Sequence, residues 1–188
     1  AVTLYLTRVA DPRAFGLVPT DAEGRVTEFR EKPTTVQEIV TDQINAGCYV
    51  FRRDVIDRIP VGQVVSVERD TFPGLLAQGH RLTGVVDDGY WLDLGTPLSF
   101  VRGSADLVLG RVDSSAVPGP TGERLVLGDA RVADDATVTG GSVVADSCVV
   151  HAGAVVEGSV LMPGVVVAAG AAVRDSVLAT GARVGEKA

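Results

Sequence analysis

Three short stretches carry residue types that could handle a phosphorylated, hydroxyl-rich ligand. The first ends Phe29-Arg30-Glu31-Lys32-Pro33. Lys32 offers a compact point charge for a phosphate, and Glu31 beside it a carboxylate for hydroxyls. A solvated Glu–Lys pair ahead of a turn has the same spelling. Phe15-Gly16 precedes it, and a glycine beside an aromatic strand residue lets a ligand approach the backbone. The second stretch is Ile44-Asn45-Ala46-Gly47-Cys48-Tyr49-Val50-Phe51, where Asn45 is a lone amide at the head of an apolar run. It could bond sugar hydroxyls or only its own turn. The third is Gly89-Tyr90-Trp91-Leu92-Asp93-Leu94-Gly95-Thr96-Pro97. A carboxylate among apolar residues must be paired, capped or metal-bound. Asp93 suits Mg²⁺, which takes one or two carboxylates and leaves places for phosphate and water; it equally suits accepting backbone N–H groups of the Gly95-Thr96 turn.

Those residues need elements to hold them. Residues 2–9 alternate as a strand, and Asp21-Ala22-Glu23-Gly24 reads as a turn. Arg25 to Arg30 alternates again until Pro33 stops the ladder. Ile44 to Phe51 reads as a strand interrupted at Ala46-Gly47, and Arg53 to Ile59 as a helix ended by Pro60. Ser66 is an N-cap candidate, with Glu68 and Asp70 suiting the positive end of a helix that runs towards Ala77 and stops at Gly79, with a kink or break possible at Pro73. Arg81 to Val86 is a further strand. Asp93 falls at the end of a strand, and Pro97 opens a helix to about Leu109. Residues 110–124, with Val117-Pro118-Gly119-Pro120, read as a linker.

Beyond the linker the chain repeats. Val132, Val138, Val144, Val150 and Val156 are six residues apart, and the series continues through Leu161, Val167, Val173, Leu178 and Val184 with two steps of five. So short a period leaves no room for helices and marks a hexapeptide β-helix. The expected architecture is an α/β domain over 1–109, the linker, and a left-handed parallel β-helix over 125–188. Open terminal coils are sheet edges, which predicts self-association or a longer parent chain.

Composition narrows the function classes. A net charge of −7 excludes a basic nucleic-acid surface. No apolar run approaches the ~20 residues of a membrane span, and no signal peptide opens the chain, so the expected setting is cytoplasmic. Cys48 and Cys148 sit in apolar runs and read as buried thiols. His80 reads as a solvent-facing residue after a helix and His151 as a solenoid corner. No Cys/His cluster has metal-ligand spacing.

Taken in order, F-G-x-V-x-x-D-x-x-G-R-V-x-x-F-x-E-K-P, I-N-A-G-x-Y-V-F, S-V-E-R-D-x-F-P-x-L-L from Ser66 to Leu76 and G-Y-W-x-D-x-G-T-P, followed by hexapeptides, resemble the sugar-1-phosphate nucleotidyltransferases. Within that family I-N-A-G points to the guanylyltransferases acting on mannose 1-phosphate, and Asp11 to Gly16 resembles actinobacterial members. The resemblance implies the C-terminal half of a Rossmann-like catalytic domain and substrates GTP and mannose 1-phosphate. Lys32 would hold the sugar phosphate, Glu31 the sugar hydroxyls, and Asn45 and the backbone at Gly16 the rest of the sugar pocket. Asp93 would be one of two Mg²⁺ carboxylates. The family's G-x-G-T-R-L-x-P loop, base-reading segment and first metal-binding Asp do not occur in these 188 residues, so the chain by itself is expected not to turn over and to be part of a longer protein. A regulatory homologue that senses a nucleotide sugar or assembles with a catalytic subunit is the alternative. A hexapeptide acyltransferase is disfavoured because His151 is its only candidate base.

Overall fold

The computed structural model describes residues 1–33, 35–117 and 121–188, and the chain packs as two compact units, Ala1–Trp91 and Leu92–Ala188. Thr34 and the Pro118-Gly119-Pro120 part of the expected linker lie outside the described residues.

The first unit is built on a three-stranded sheet. β1 (Val2–Arg8) is central, antiparallel to β2 (Gln43–Phe51) on one side and parallel to β3 (Leu82–Val86) on the other. Alternation places Val2, Leu4 and Leu6 in the core, where Val18, Val55, Phe72, Leu75 and Leu82 meet them. Phe72 is the pivot: it is fully buried, and its ring lies 5.3, 5.1 and 6.0 Å from those of Phe29, Tyr49 and Phe51.

Several local expectations change. Residues 25–30 do not form a continuous strand. They make isolated bridges, Val26 with Thr20, Arg25 with Thr83 and Arg30 with Leu17, because the chain crosses between two sheet edges there. The helix after β2 is a single turn, α1 (Arg53–Ile56). The Ser66 cap forms, its side chain accepting from Arg69 N, but Val67–Thr71 is a π-type turn in which Thr71 N donates to Ser66 O. Only then does α2 (Phe72–Ala77) begin. Pro73 therefore falls in the first turn of the α-segment, where its missing N–H costs nothing, next to the change from π-type turn to α-helix. Gly79, at φ +73°, ends α2 with His80 N donating to Leu75 O and Gly79 N to Leu76 O, a C-cap of Schellman type.

The second unit opens with α3 (Pro97–Val108), capped by Thr96, whose side chain accepts from Ser99 N at 3.1 Å. After it the chain winds into a parallel β-solenoid of three sheets. Leu125 pairs with Val143, eighteen residues on, and Val144 with Leu161, seventeen on. A coil is thus three hexapeptides, and each five-residue step shortens its coil by one. Val138, Val156 and Val173 stack in one buried column, Val144 and Leu161 in the next, Val150 and Val167 in the third. α3 packs on the first described coils. Gly141 makes that possible: at φ +76° a Cβ there would lie 2.7 Å from Ala105 Cα. Asp106, buried on α3, is tied to Arg111 at 2.9 Å, and Thr121 Oγ1 donates to Val108 O. Among the described residues no helix is long and apolar enough to cross a membrane.

Candidate active site

The geometry starts with a fault in the sheet. Leu6 opposes Asn45 and Leu4 opposes Tyr49, so four residues of β2 are spanned by two of β1. A regular strand would separate Asn45 and Tyr49 by about 13 Å. The bulge, with Gly47 at φ +81°, folds Ala46-Gly47-Cys48 outward and lets Asn45 Nδ2 donate to Tyr49 Oη at 2.5 Å. The interruption expected at Ala46-Gly47 is therefore real, and it also corrects Cys48, which the bulge turns to solvent; both thiols are free, and only Cys148 is buried.

Asn45 is only 8% exposed, and its amide is fully used. Nδ2 also donates to Glu68 Oε1 at 2.6 Å, Oδ1 accepts from Gly47 N at 3.1 Å, and the main-chain N–H donates to Gly16 O at 2.9 Å. Gly16 in turn touches Glu31: a Cβ at Gly16 would lie 3.2 Å from Glu31 Oε2 and from the Phe29 ring. So Gly16, Glu31 and Asn45 are brought together. Lys32 sits at the rim, exposed, its Nζ 3.9 Å from Glu31 Oε1. Its backbone is at φ +35°, a strained choice for a lysine that aims the side chain rather than continuing the strand. A cleft of about 340 Å³ lined by Arg30, Glu31, Pro33 and Glu38 opens there.

Glu31 is the electrostatic oddity. Its Oε2 is buried without a hydrogen-bond donor. Burial pushes its carboxyl above the ordinary carboxylate range and the neighbouring Glu68 charge adds to this, while Lys32 opposes it. Burial likewise raises the Tyr49 phenol. Glu68 and Tyr49 were not singled out as site residues from the sequence. Glu68 looked like a helix-dipole complement, and Tyr49 like a strand aromatic.

Asp93 belongs to the second unit. It is exposed and no strand leads to it, contrary to the expected strand end; its Oδ1 accepts from Gly95 N at 3.0 Å, the capped-turn arrangement. Among the described residues no group of three or more His, Cys, Asp or Glu could enclose a metal ion. A single exposed carboxylate is still a chemically suitable partial ligand for Mg²⁺, which leans on phosphates and water for the rest.

A larger cavity of about 420 Å³, lined by Val55, Arg58, Ile59, Asp70 and Leu75 among others, involves none of Gly16, Glu31, Lys32, Asn45 and Asp93. Residues 1–108 match the family model for nucleotidyl transferases, and residues 120–188 match that of the GlmU-like C-terminal hexapeptide. The chain belongs to the nucleotidyl transferase family. The mannose-1-phosphate guanylyltransferase of Mycobacterium tuberculosis is 59% identical over 144 residues, 76% of this chain and 39% of that protein. A Drosophila melanogaster relative, the catalytic subunit beta of mannose-1-phosphate guanylyltransferase, is 39% identical over 101 residues, 54% of this chain and 26% of that protein. The UTP–glucose-1-phosphate uridylyltransferase of Synechocystis is 28% identical over 158 residues, covering 73% and 40%. The chain thus spans well under half the length of these nucleotidyl transferase relatives. The matches meet near residues 108–120, whereas by packing α3 goes with the solenoid.

Proposed function

We propose that the chain is the sugar-phosphate side of a nucleotidyltransferase that makes GDP-mannose from GTP and mannose 1-phosphate, releasing pyrophosphate. The observation that carries it is the Gly16–Glu31–Asn45 cluster with Lys32 at its rim, on a chain 59% identical to a mannose-1-phosphate guanylyltransferase. Glu31 is an acceptor without a donor, which a sugar hydroxyl would satisfy. Lys32, exposed beside it, would take the phosphate. Asn45 acts by holding the pocket wall, because its own polar atoms are already engaged.

Asp93 would hold Mg²⁺ together with the substrate phosphates. The ion, when bound, neutralises phosphate charge. The chain's own contribution is alignment: such transfers depend on positioning and charge rather than on a protein nucleophile. We assign residues 1–109 to the catalytic portion, 110–124 to a connection and 125–188 to a solenoid that serves assembly of a homo-oligomer, in the cytoplasm.

The test is a longer enzyme containing this chain and the Gly-rich nucleotide loop. Lys32→Ala is expected to raise KM for mannose 1-phosphate at least about tenfold, the loss of one charge-assisted phosphate contact, with KM for GTP little changed. An unchanged KM for the sugar phosphate sinks the assignment.

A further inference from the structure

The cavity of about 420 Å³ in the first unit is lined by side chains that the sugar-phosphate reading leaves unused. Its volume is that of a small-molecule site. It lies between α1, with the loop that follows it, and the π-type turn leading into α2. Val55 and Leu75, both buried, and the half-buried Ile59 and Val65 give it an apolar floor. Val64 joins the lining with its side chain fully exposed.

Gly74, also in the lining, is the telling residue. It sits inside α2 without a left-handed backbone, so no turn requires it. Alanine suits a helix better. No neighbour excludes a methyl group either, because a Cβ at Gly74 would meet nothing within 4 Å outside its own helix backbone. Bare backbone there costs the helix something and gains the fold nothing, unless a ligand approaches it closely.

The polar lining narrows the chemistry. Arg58 and Asp70 both face the cavity and form no ion pair with each other. Arg58 has one nitrogen 2.8 Å from His80 Nε2, and Asp70 Oδ2 accepts from Ser66 N at 3.0 Å, which leaves donors on the first and Oδ1 on the second. An anion would meet Asp70 and a cation would meet Arg58. An uncharged molecule with a donor and an acceptor on one edge satisfies both. Gln63, Gln78 and Thr71 add amides and a hydroxyl, and none of their side chains bonds to another described residue.

We propose that this cavity binds an uncharged heterocycle of nucleoside size, its ring laid on Gly74 and the apolar floor, its donor and acceptor edge turned to Asp70 and Arg58. Occupancy would be felt at Asn45. Asp70 and Thr71 belong to the same π-type turn as Glu68, which accepts from Asn45 Nδ2 at 2.6 Å, and such turns are frequent at functional sites. That link is regulation of the sugar-phosphate side only on the reading given above; the binding itself does not depend on it.

The ¹⁵N-labelled 188-residue chain is titrated with adenosine, guanosine, cytidine and uridine, and with mannose as a polar control without a flat ring, and followed by amide NMR shifts. At least one nucleoside should give saturable shifts at Gly74, Leu75 and Gln78, with Asn45 and Gly47 moving at the same midpoint, and mannose none. Gly74→Ala should unfold at higher urea than its parent, yet bind that nucleoside at least about tenfold more weakly. No saturable shift with any nucleoside overturns the proposal. So does unchanged affinity in Gly74→Ala, or a loss of stability, which would make Gly74 a packing glycine. Shifts that stay in the cavity while Asn45 and Gly47 do not move overturn the link. No sugar phosphate and no turnover enter the measurement, so it and the sugar-phosphate reading fail separately.

Discussion

Asn45→Asp is a near-isosteric change whose cost can be worked from the site. The side chain is 8% exposed, and its Nδ2 sits 2.6 Å from a Glu68 oxygen. Aspartate turns that donor into an acceptor aimed at a carboxylate. With both ionised, repulsion at such a distance is about 6 kcal/mol for an effective dielectric near 20. Protonation offers an escape. Holding a carboxyl with an ordinary pKa of about 3.9 neutral at pH 7 costs about 4 kcal/mol. The smaller penalty wins, so the variant should keep its new carboxyl protonated and lose about 4 kcal/mol at pH 7 and about 1.5 kcal/mol at pH 5. The direction is fixed by linkage: a folded pKa raised above the unfolded value gives relative stability that is present in acid and lost as pH rises. Asn45→Ala removes the donors without adding charge and should cost about 3 kcal/mol at either pH. Urea unfolding at the two pH values measures both. An Asn45→Asp variant as stable as its parent at pH 7, or one whose deficit does not shrink at pH 5, would show that the amide is not clasped between Tyr49 and Glu68.

Two further changes probe the elements that carry the site. Phe72→Ala empties the aromatic cluster on which β2 and α2 meet and should cost about 3–5 kcal/mol in urea unfolding of the first unit; a loss below ~1 kcal/mol would mean that Tyr49 is not anchored by this ring. Gly141→Ala places a Cβ against the backbone of Ala105 at φ +76° and should destabilise the seat of α3 by at least about 1 kcal/mol. Hydrogen exchange should then show faster amides in α3 with the later solenoid coils still protected; uniform protection would contradict that close approach.

The solenoid was legible because its rule is local. A valine every six residues is both the sequence pattern and the buried column, and the two five-residue steps reappear as coils of seventeen rather than eighteen. The Ser66 and Gly79 caps were legible for the same reason, since each bonds backbone groups a few residues away. Where two strand edges compete for one segment, as at residues 25–30, alternation alone could not say that neither would win.

The site was half legible, and the missing half shows what decides such cases. Asn45 stood out as a lone amide in an apolar run, and Glu31 and Lys32 as a carboxylate and a cation side by side. Glu68 and Tyr49 did not, because each had a sufficient local reason: an acid in a first helical turn, an aromatic in a strand. Their second roles depend on a two-residue slip between β1 and β2, which brings Tyr49 onto Asn45, and on a contact 23 residues distant that brings Glu68 to the same amide. Ala46-Gly47 marked the place of the slip but not its size. Had β2 run on without the bulge, Tyr49 would lie about 13 Å from Asn45. The amide would then have a donor to spare for a ligand. With the bulge both donors are spent inward, and Glu31 is left as the acceptor in the cluster still without a donor. The register of one strand pair thus determines which of the motif residues is available to bind and which holds the others in place.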